Sequence, residues 1–285
     1  MNKTLLSIGH GYSARALARL LVPQAWTVIG TSRTADKAAG FRAEGVSHII
    51  WPGERLPLDR VTHVLTSVAP GKTGDPVLAE AAEQLNAAKR LEWVGYLSTT
   101  GVYGDRDGGW VDETSELRPT TSRGRARVAA EKAWQALDLP LHIFRLAGIY
   151  GPGRGPFAKV RAGTARRIIK ERQVFSRIHV DDIAQVLAAS IARPNPGAIY
   201  NVCDDHPAPP EDVIAHAAEL LGVPIPSAVP IDQAEMTPMA RSFYAESKRV
   251  RNDRIKEELG VSLIYPDYRS GLAALLNSEG VPHPR

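Results

Sequence analysis

The sequence predicts an α/β fold, a doubly wound parallel sheet with a smaller C-terminal α/β lobe, and three observations carry that prediction. Short apolar runs alternate with segments of helical spacing through the first half of the 285 residues. The first run passes directly into a glycine-rich turn. After Tyr150 the alternation gives way to frequent Gly and Pro.

Taken in order, TLLSIG (4–9), WTVIGTS (26–32), HVLTSVA (63–69), WVGYLST (93–99) and LHIFRLAG (141–148) are short runs bounded by turn residues, and each reads as a strand. SHIIW (47–51) is a weaker strand that follows a helix expected at 34–43. Apolar residues recur at spacings of three and four in 12–22, 75–90 and 122–138, the period of a helix with one buried face. Alternating strand and helix requires crossover connections, hence parallel strands covered on both faces. GPGRGP (151–156) then breaks the pattern, and PNPG, PAPP and PIP interrupt the rest of the chain. Residues 1–150 are expected to form the sheet domain. A segment near 178–205 returns to it, and 151–177 with 206–285 build the smaller lobe.

Composition narrows the functional classes. At 44% hydrophobic and 23% charged residues the chain is an ordinary globular one. The 35 basic and 31 acidic residues are well mixed, and the one basic stripe, RAGTARRIIKER (161–172), lacks the interleaved aromatics that single-strand binding uses, so no nucleic-acid partner is expected. A single cysteine, Cys203, excludes an internal disulfide framework and any multi-cysteine metal site, and suits a cytoplasmic protein. The N-terminal apolar run is too short for a secretory signal, and no run approaches the ~20 apolar residues of a membrane span, so no membrane partner is expected either.

The turn GHGYSA (9–14) between the first strand and an amphipathic helix carries the clearest chemistry. Glycines there let backbone N–H groups approach a pyrophosphate, which the helix N-terminus stabilises, so residues 1–150 read as a Rossmann-type dinucleotide-binding domain. The second strand ends in Ser32 and Arg33. A carboxylate at this point would bond a ribose 2′-hydroxyl, whereas a hydroxyl and a fixed cation suit a 2′-phosphate, so NADP(H) is favoured over NAD(H). SRGRARVAAEKAW (122–134) poses a problem of charge. Arg123, Arg125 and Arg127 crowd the first turns of a helix, where the macrodipole already disfavours cations. Either Asp112, Glu113, Glu116 and Glu131 neutralise them, or an anion is expected there.

GHGYSA, LSTTGVYG (97–104), RLAGIYGPGR (145–154), RIHVDDIA (177–184) and YNVCDD (200–205) together resemble the extended short-chain dehydrogenase/reductase superfamily, in an atypical epimerase/dehydratase-like branch. The resemblance implies a pyrophosphate over Gly9, Gly11 and Ala14 with Tyr12 and Ser13 at the helix entry. It implies Ser32 and Arg33 at the 2′-phosphate, and Val68, Ala69 and Pro70 along the adenine and ribose. It also implies a hydroxyl, here Thr99, on the reacting oxygen.

The family's Tyr and Lys, four residues apart, fall on Arg123 and Arg127, and guanidinium cannot exchange a proton near neutrality. Arg127 retains the capacity to hold ribose hydroxyls. Tyr103, on the loop that carries Thr99, is the expected replacement acid, with Lys72 in reserve. Tyr150 and Arg177 are expected to contact substrate; Arg177 lies two residues after the family's phosphate-binding Arg position, which is Phe175 here. Asp181 and Asp182 read as helix caps, and His179 as a structural residue. Pairing of two chains through 75–90 and 122–138 is also implied, although the arginines oppose it. Two functions fit: an NADP-dependent reductase or epimerase acting on a small anionic or hydroxylated metabolite, or a non-catalytic NADP(H)-binding redox sensor.

Overall fold

The computed structural model describes residues 3–279. Seven strands form the main sheet: β1 (Thr4–Ile8), β2 (Thr27–Ser32), β3 (Val46–Ile50), β4 (His63–Thr66), β5 (Trp93–Thr99), β7 (Leu141–Leu146) and β11 (Ile199–Val202). Their order is β11-β7-β5-β4-β1-β2-β3, and every neighbouring pair is parallel. All five β1 side chains are buried, as a strand covered on both faces requires.

Helices α1 (Tyr12–Leu21), α2 (Ala38–Ala43) and α6 (Val180–Ala192) bring Leu17, Phe41 and Val186 to one face, against Trp93 and Phe144. Helices α3 (Pro76–Ala87) and α4 (Ser122–Gln135) bring Val77, Leu85 and Trp134 to the other, against Tyr96 and Ile143. The sheet is thus doubly wound. The chain runs outward from β1 through β2 and β3, then crosses back to β4 and proceeds the other way. That reversal opens a crevice at the carboxyl ends of β1 and β4, where ligands of open parallel sheets bind.

The smaller lobe is built from α5 (Phe157–Arg161), α7 (Pro210–Leu221), α8 (Pro238–Tyr244), α9 (Asp253–Glu257), α10 (Tyr268–Glu279) and three two-stranded ribbons. The ribbons pair β6 (Trp110–Val111) with β13 (Arg249–Val250), β8 (Gly148–Tyr150) with β10 (Arg177–His179), and β9 (Arg167–Ile169) with β12 (Ala228–Pro230). Phe157, Val213, Ala217 and Leu272 form its own core around Tyr150 and Tyr268.

Two boundaries shift from the sequence reading. The strand expected over 63–69 ends at Thr66; residues 67–70 leave the sheet, and Ser67, Ala69 and Pro70 line the crevice. The caps of α6 also differ: His179, not an aspartate, accepts the Asp181 amide through Nδ1 at 3.2 Å. Asp182 is buried and instead accepts the Ile264 and Tyr265 amides at 2.7 and 3.0 Å, tying α6 to the lobe. No helix among the described residues is long and apolar enough to cross a membrane.

Candidate functional site

One cleft of about 960 Å³ runs from the first glycine turn, past the carboxyl ends of β5 and β7, to the wall of the smaller lobe. At its near end Gly9 has φ +77°, and a Cβ there would lie 2.8 Å from Val68 Cγ2. Only glycine fits both constraints. The Gly9 amide donates to Thr31 Oγ1 at 2.9 Å, which locks the turn onto β2. Gly11 is the N-cap of α1; no side chain caps that helix, and its first turn holds no acid.

A Cβ on Gly11 would meet only the Gly9 carbonyl, at 3.7 Å, so approach to the helix end is open. An open, uncapped N-terminus beside a glycine cradle fits a pyrophosphate. Ser13 and Ala14 face inward from α1 and are buried, while Tyr12 donates from its hydroxyl to Pro152 O at 3.0 Å. Arg154 stands over the Tyr12 ring, adding a cation at this end of the cleft.

Ala69 and Pro70 line the cleft, and Val68 closes the floor under Gly9. Ser32 and Arg33 lie beyond the cleft lining, at the tip of β2. The Ser32 hydroxyl donates to Thr34 O at 2.7 Å and sits 2.7 Å from His48 Nε2, so its proton is engaged. Arg33 is exposed and pairs with no carboxylate among the described residues.

Thr99 ends β5 at the middle of the cleft. Its Oγ1 accepts the Gly101 amide at 3.1 Å, capping the single 3₁₀ turn Thr100–Tyr103, and its own O–H stays available to the cleft. Tyr103 is not brought to the cleft. It is fully buried; its hydroxyl donates to Asn201 Oδ1 at 2.7 Å and accepts from Arg145 Nη1 at 2.9 Å, and burial pushes its pKa up to about 12. The phenol belongs to a buried polar network. Arg145 also pairs bidentately with Glu131 at 2.8 and 3.3 Å, and the Asn201 amide donates to Glu113 Oε1 at 2.7 Å. Arg145 and Asn201 are buried polar groups on β7 and β11 that need partners, and Tyr103 supplies one.

The network also settles the arginine problem. Glu131 is committed to Arg145, Glu113 to the Asn201 amide, Glu116 to Arg118 at 2.7 Å, and Asp112 to Thr114 and Ser115. None of Arg123, Arg125 and Arg127 pairs with a carboxylate among the described residues. Arg127 donates to Leu97 O at 2.7 Å and Tyr96 Oη at 3.0 Å, and Arg123 donates to Ser242 Oγ at 2.9 Å with its guanidinium over Phe243. Both line the cleft; Arg125 turns away and donates to Thr120 O at 2.8 Å.

On the far wall, Tyr150 is nearly buried, with its hydroxyl donating to Asp267 O at 3.4 Å, and burial raises its pKa. Arg177 lines the cleft, donating to Phe175 O at 2.8 Å and Ala208 O at 3.0 Å; burial lowers its pKa. Behind it, burial lifts the Asp204 carboxyl to about 8. Lys72, the reserve proton donor, is exposed on the 71–74 turn and does not line the cleft.

Sequence reasoning missed one wall altogether. Residues from 240 to 250 form part of the cleft wall, and bring Glu246 and Lys248 to it as an ion pair of 2.7 Å with both side chains nearly buried. The signal available was small: an acid and a base two residues apart on extended chain share a face.

A family model described as the NAD dependent epimerase/dehydratase family matches residues 73–203. The solved structure of a functionally unknown conserved protein from Silicibacter pomeroyi DSS is 64% identical, with a TM-score of 0.94 over 98% of this chain and 100% of that one. Protein YeeZ of Escherichia coli (strain K12) is 27% identical over 283 residues, 93% of this chain and 97% of its own length. A 3-diazoavenalumate denitrifying reductase from Streptomyces sp is 26% identical over 250 residues, 83% of this chain and 71% of its own. The sheet order and the glycine turn agree with that match, and over residues 73–203 the chain is similar to the NAD dependent epimerase/dehydratase family.

Proposed function

We propose that the protein is an NADP(H)-dependent reductase- or epimerase-like enzyme acting on a small anionic metabolite. The observation that carries this reading is a single cleft joining the uncapped α1 N-terminus to Thr99 and to three arginines, Arg123, Arg127 and Arg177, that have no carboxylate partner among the described residues. A nicotinamide dinucleotide supplies hydride transfer when bound. Gly9, Gly11, Tyr12 and Ser13 receive its pyrophosphate on main-chain amides, and Arg154 adds charge there. Arg33 is the free cation for a 2′-phosphate. Arg127, fixed by Leu97 O and Tyr96, holds ribose hydroxyls. Thr99 donates its O–H to the substrate oxygen, while Arg177 and Arg123 hold the substrate's acidic group. The reductase name of the Streptomyces relative supports the same chemistry.

A second reading, a non-catalytic NADP(H) sensor, is favoured by one observation. The Tyr and Lys positions of the family carry Arg123 and Arg127, which cannot exchange protons. Fluorescence titration with NADPH and NADH, followed by NADPH consumption with a panel of oxo-acids and phosphorylated carbonyl compounds, separates the two. Saturation by NADPH with turnover of one acid establishes the enzyme. Saturation with no turnover establishes the sensor, and failure of both coenzymes to bind removes both readings.

A further inference from the structure

Resting on the reductase reading above, we propose that Lys248 gives and takes the proton at the substrate oxygen held by Thr99, with Glu246 as the residue that positions it. The cleft needs such a group. Its arginines cannot lose a proton, Tyr103 is fully buried, and the Tyr12 and Tyr150 hydroxyls are committed to Pro152 and Asp267 carbonyls; Tyr244, the other phenol of the lining, stands on α8 and has no bond to the turn that Thr99 caps among the described residues. Lysine, in contrast, is a side chain that proteins use as a general acid or base.

Lys248 and Thr99 line the same cleft. Its Nζ donates to Gly104 O at 2.7 Å and to Glu246 Oε2 at 2.7 Å, which leaves its third N–H unassigned. Gly104 closes the 3₁₀ turn that Thr99 caps, so Lys248 and Thr99 are joined through one turn of backbone. Glu246 also accepts from Thr120 Oγ1, immediately before α4, and Gly124 of α4 packs on Gly101 of the same turn. The pair is thus bonded on one side to Gly104, at the end of the turn that Thr99 caps, and on the other to Thr120, two residues before α4.

The segment is also held rigidly. Ser247, between the two charged residues, donates its amide to Asp105 Oδ1 at 2.7 Å. Its carbonyl accepts the Arg106 and Gly108 amides at 2.9 and 3.0 Å, and its hydroxyl bridges Arg172 O and the Val174 amide at 2.7 and 3.1 Å. With Ser247 pinned from three directions, Glu246 and Lys248 project together into the cleft. Packing alone is a poor reason to keep a buried ion pair, since such pairs add little net stability.

In the reducing direction the carbonyl carbon takes up a hydride from NADPH while the C=O π electrons move to oxygen. A Lys248 Nζ–H bond breaks and its proton forms the new O–H bond. The amine left behind regains a proton from cleft water, so the sum is carbonyl, NADPH and one proton giving alcohol and NADP⁺. Oxidation runs the same transfers in reverse.

The test needs no natural substrate. Full-length protein is incubated with glyoxylate and cyanoborohydride, and alkylated lysines are mapped by peptide mass spectrometry, beside an NADPH fluorescence titration of wild type and Lys248→Met. The expected result is alkylation at Lys248, at least fivefold faster in Glu246→Gln, with exposed Lys72 unchanged by that substitution, and NADPH affinity within twofold in Lys248→Met. Alkylation of Lys72 with none at Lys248, in both wild type and Glu246→Gln, would overturn the proposal while leaving NADPH binding intact. Failure of wild type to bind NADPH would instead remove the reading beneath it. Should Glu246→Gln not fold, wild type at pH 9 replaces it, with the same two outcomes at Lys248.

Discussion

Replacing Gly9 by alanine tests the dinucleotide cradle most directly, because the structure fixes both parts of the cost. The residue has φ +77°, where an L side chain costs about 1–2 kcal/mol. The new Cβ would also stand 2.8 Å from Val68 Cγ2, and ordinary carbon contact begins near ~3.5 Å, so Val68 or the turn must give way by roughly 0.7 Å. A turn displaced from Val68 moves toward the space that the pyrophosphate needs. NADPH affinity should fall at least tenfold, which is about 1.4 kcal/mol of lost binding. The double variant Gly9→Ala/Val68→Ala removes the contact but not the backbone strain, so it should regain part of the affinity. Fluorescence titration of the four proteins, with thermal melts as a folding control, forms a complete cycle. Wild-type affinity in Gly9→Ala, or no coupling between the two sites, would refute a cradle built on these contacts.

Tyr103→Phe should leave NADPH binding unchanged and lower the melting temperature, because it strips a hydroxyl from Arg145 and Asn201 at a cost of about 1–3 kcal/mol; unchanged stability would contradict the buried network. Asp204, lifted by burial from 3.8 to about 8, binds its proton more tightly folded than unfolded. Its contribution to stability is therefore full below about pH 4 and is lost as pH rises toward 8, so Asp204→Asn should flatten the decline in melting temperature across that window. Identical slopes for wild type and variant would count against it. Arg123→Ala removes the hydrogen bond to Ser242 and the stacking on Phe243, so limited proteolysis should cut within 238–244 several-fold faster; an unaltered cleavage rate would show that α8 is held by other contacts.

The glycine turn and the helix it opens were legible because their requirements are local. GHGYSA follows a buried strand and opens a helix, and each requirement lies within a few residues of the next. The sheet could be read for the same reason, since continuous apolar runs imply two covered faces whatever their partners. Tyr103 was misplaced because LHIFRL and YNV do not announce that Arg145 and Asn201 will be buried and in need of a hydroxyl. The acids near Arg123 and Arg127 were close in sequence yet committed elsewhere, and only the three-dimensional arrangement assigns carboxylates to their partners. Lys248 was invisible: 144 residues separate it from the carbonyl it bonds, and the strand that places it, β13, is two residues long.

That long separation has a bearing on biosynthesis. A chain leaving the ribosome presents its glycine turn well before the cleft wall of residues 240–250, and seating that wall closes a loop with the ends at Asp105 and Ser247. Closure over such a length has an entropic cost that only contacts already formed on both sides can offset. A nascent or truncated chain ending before residue 240 would hold the cradle without that wall.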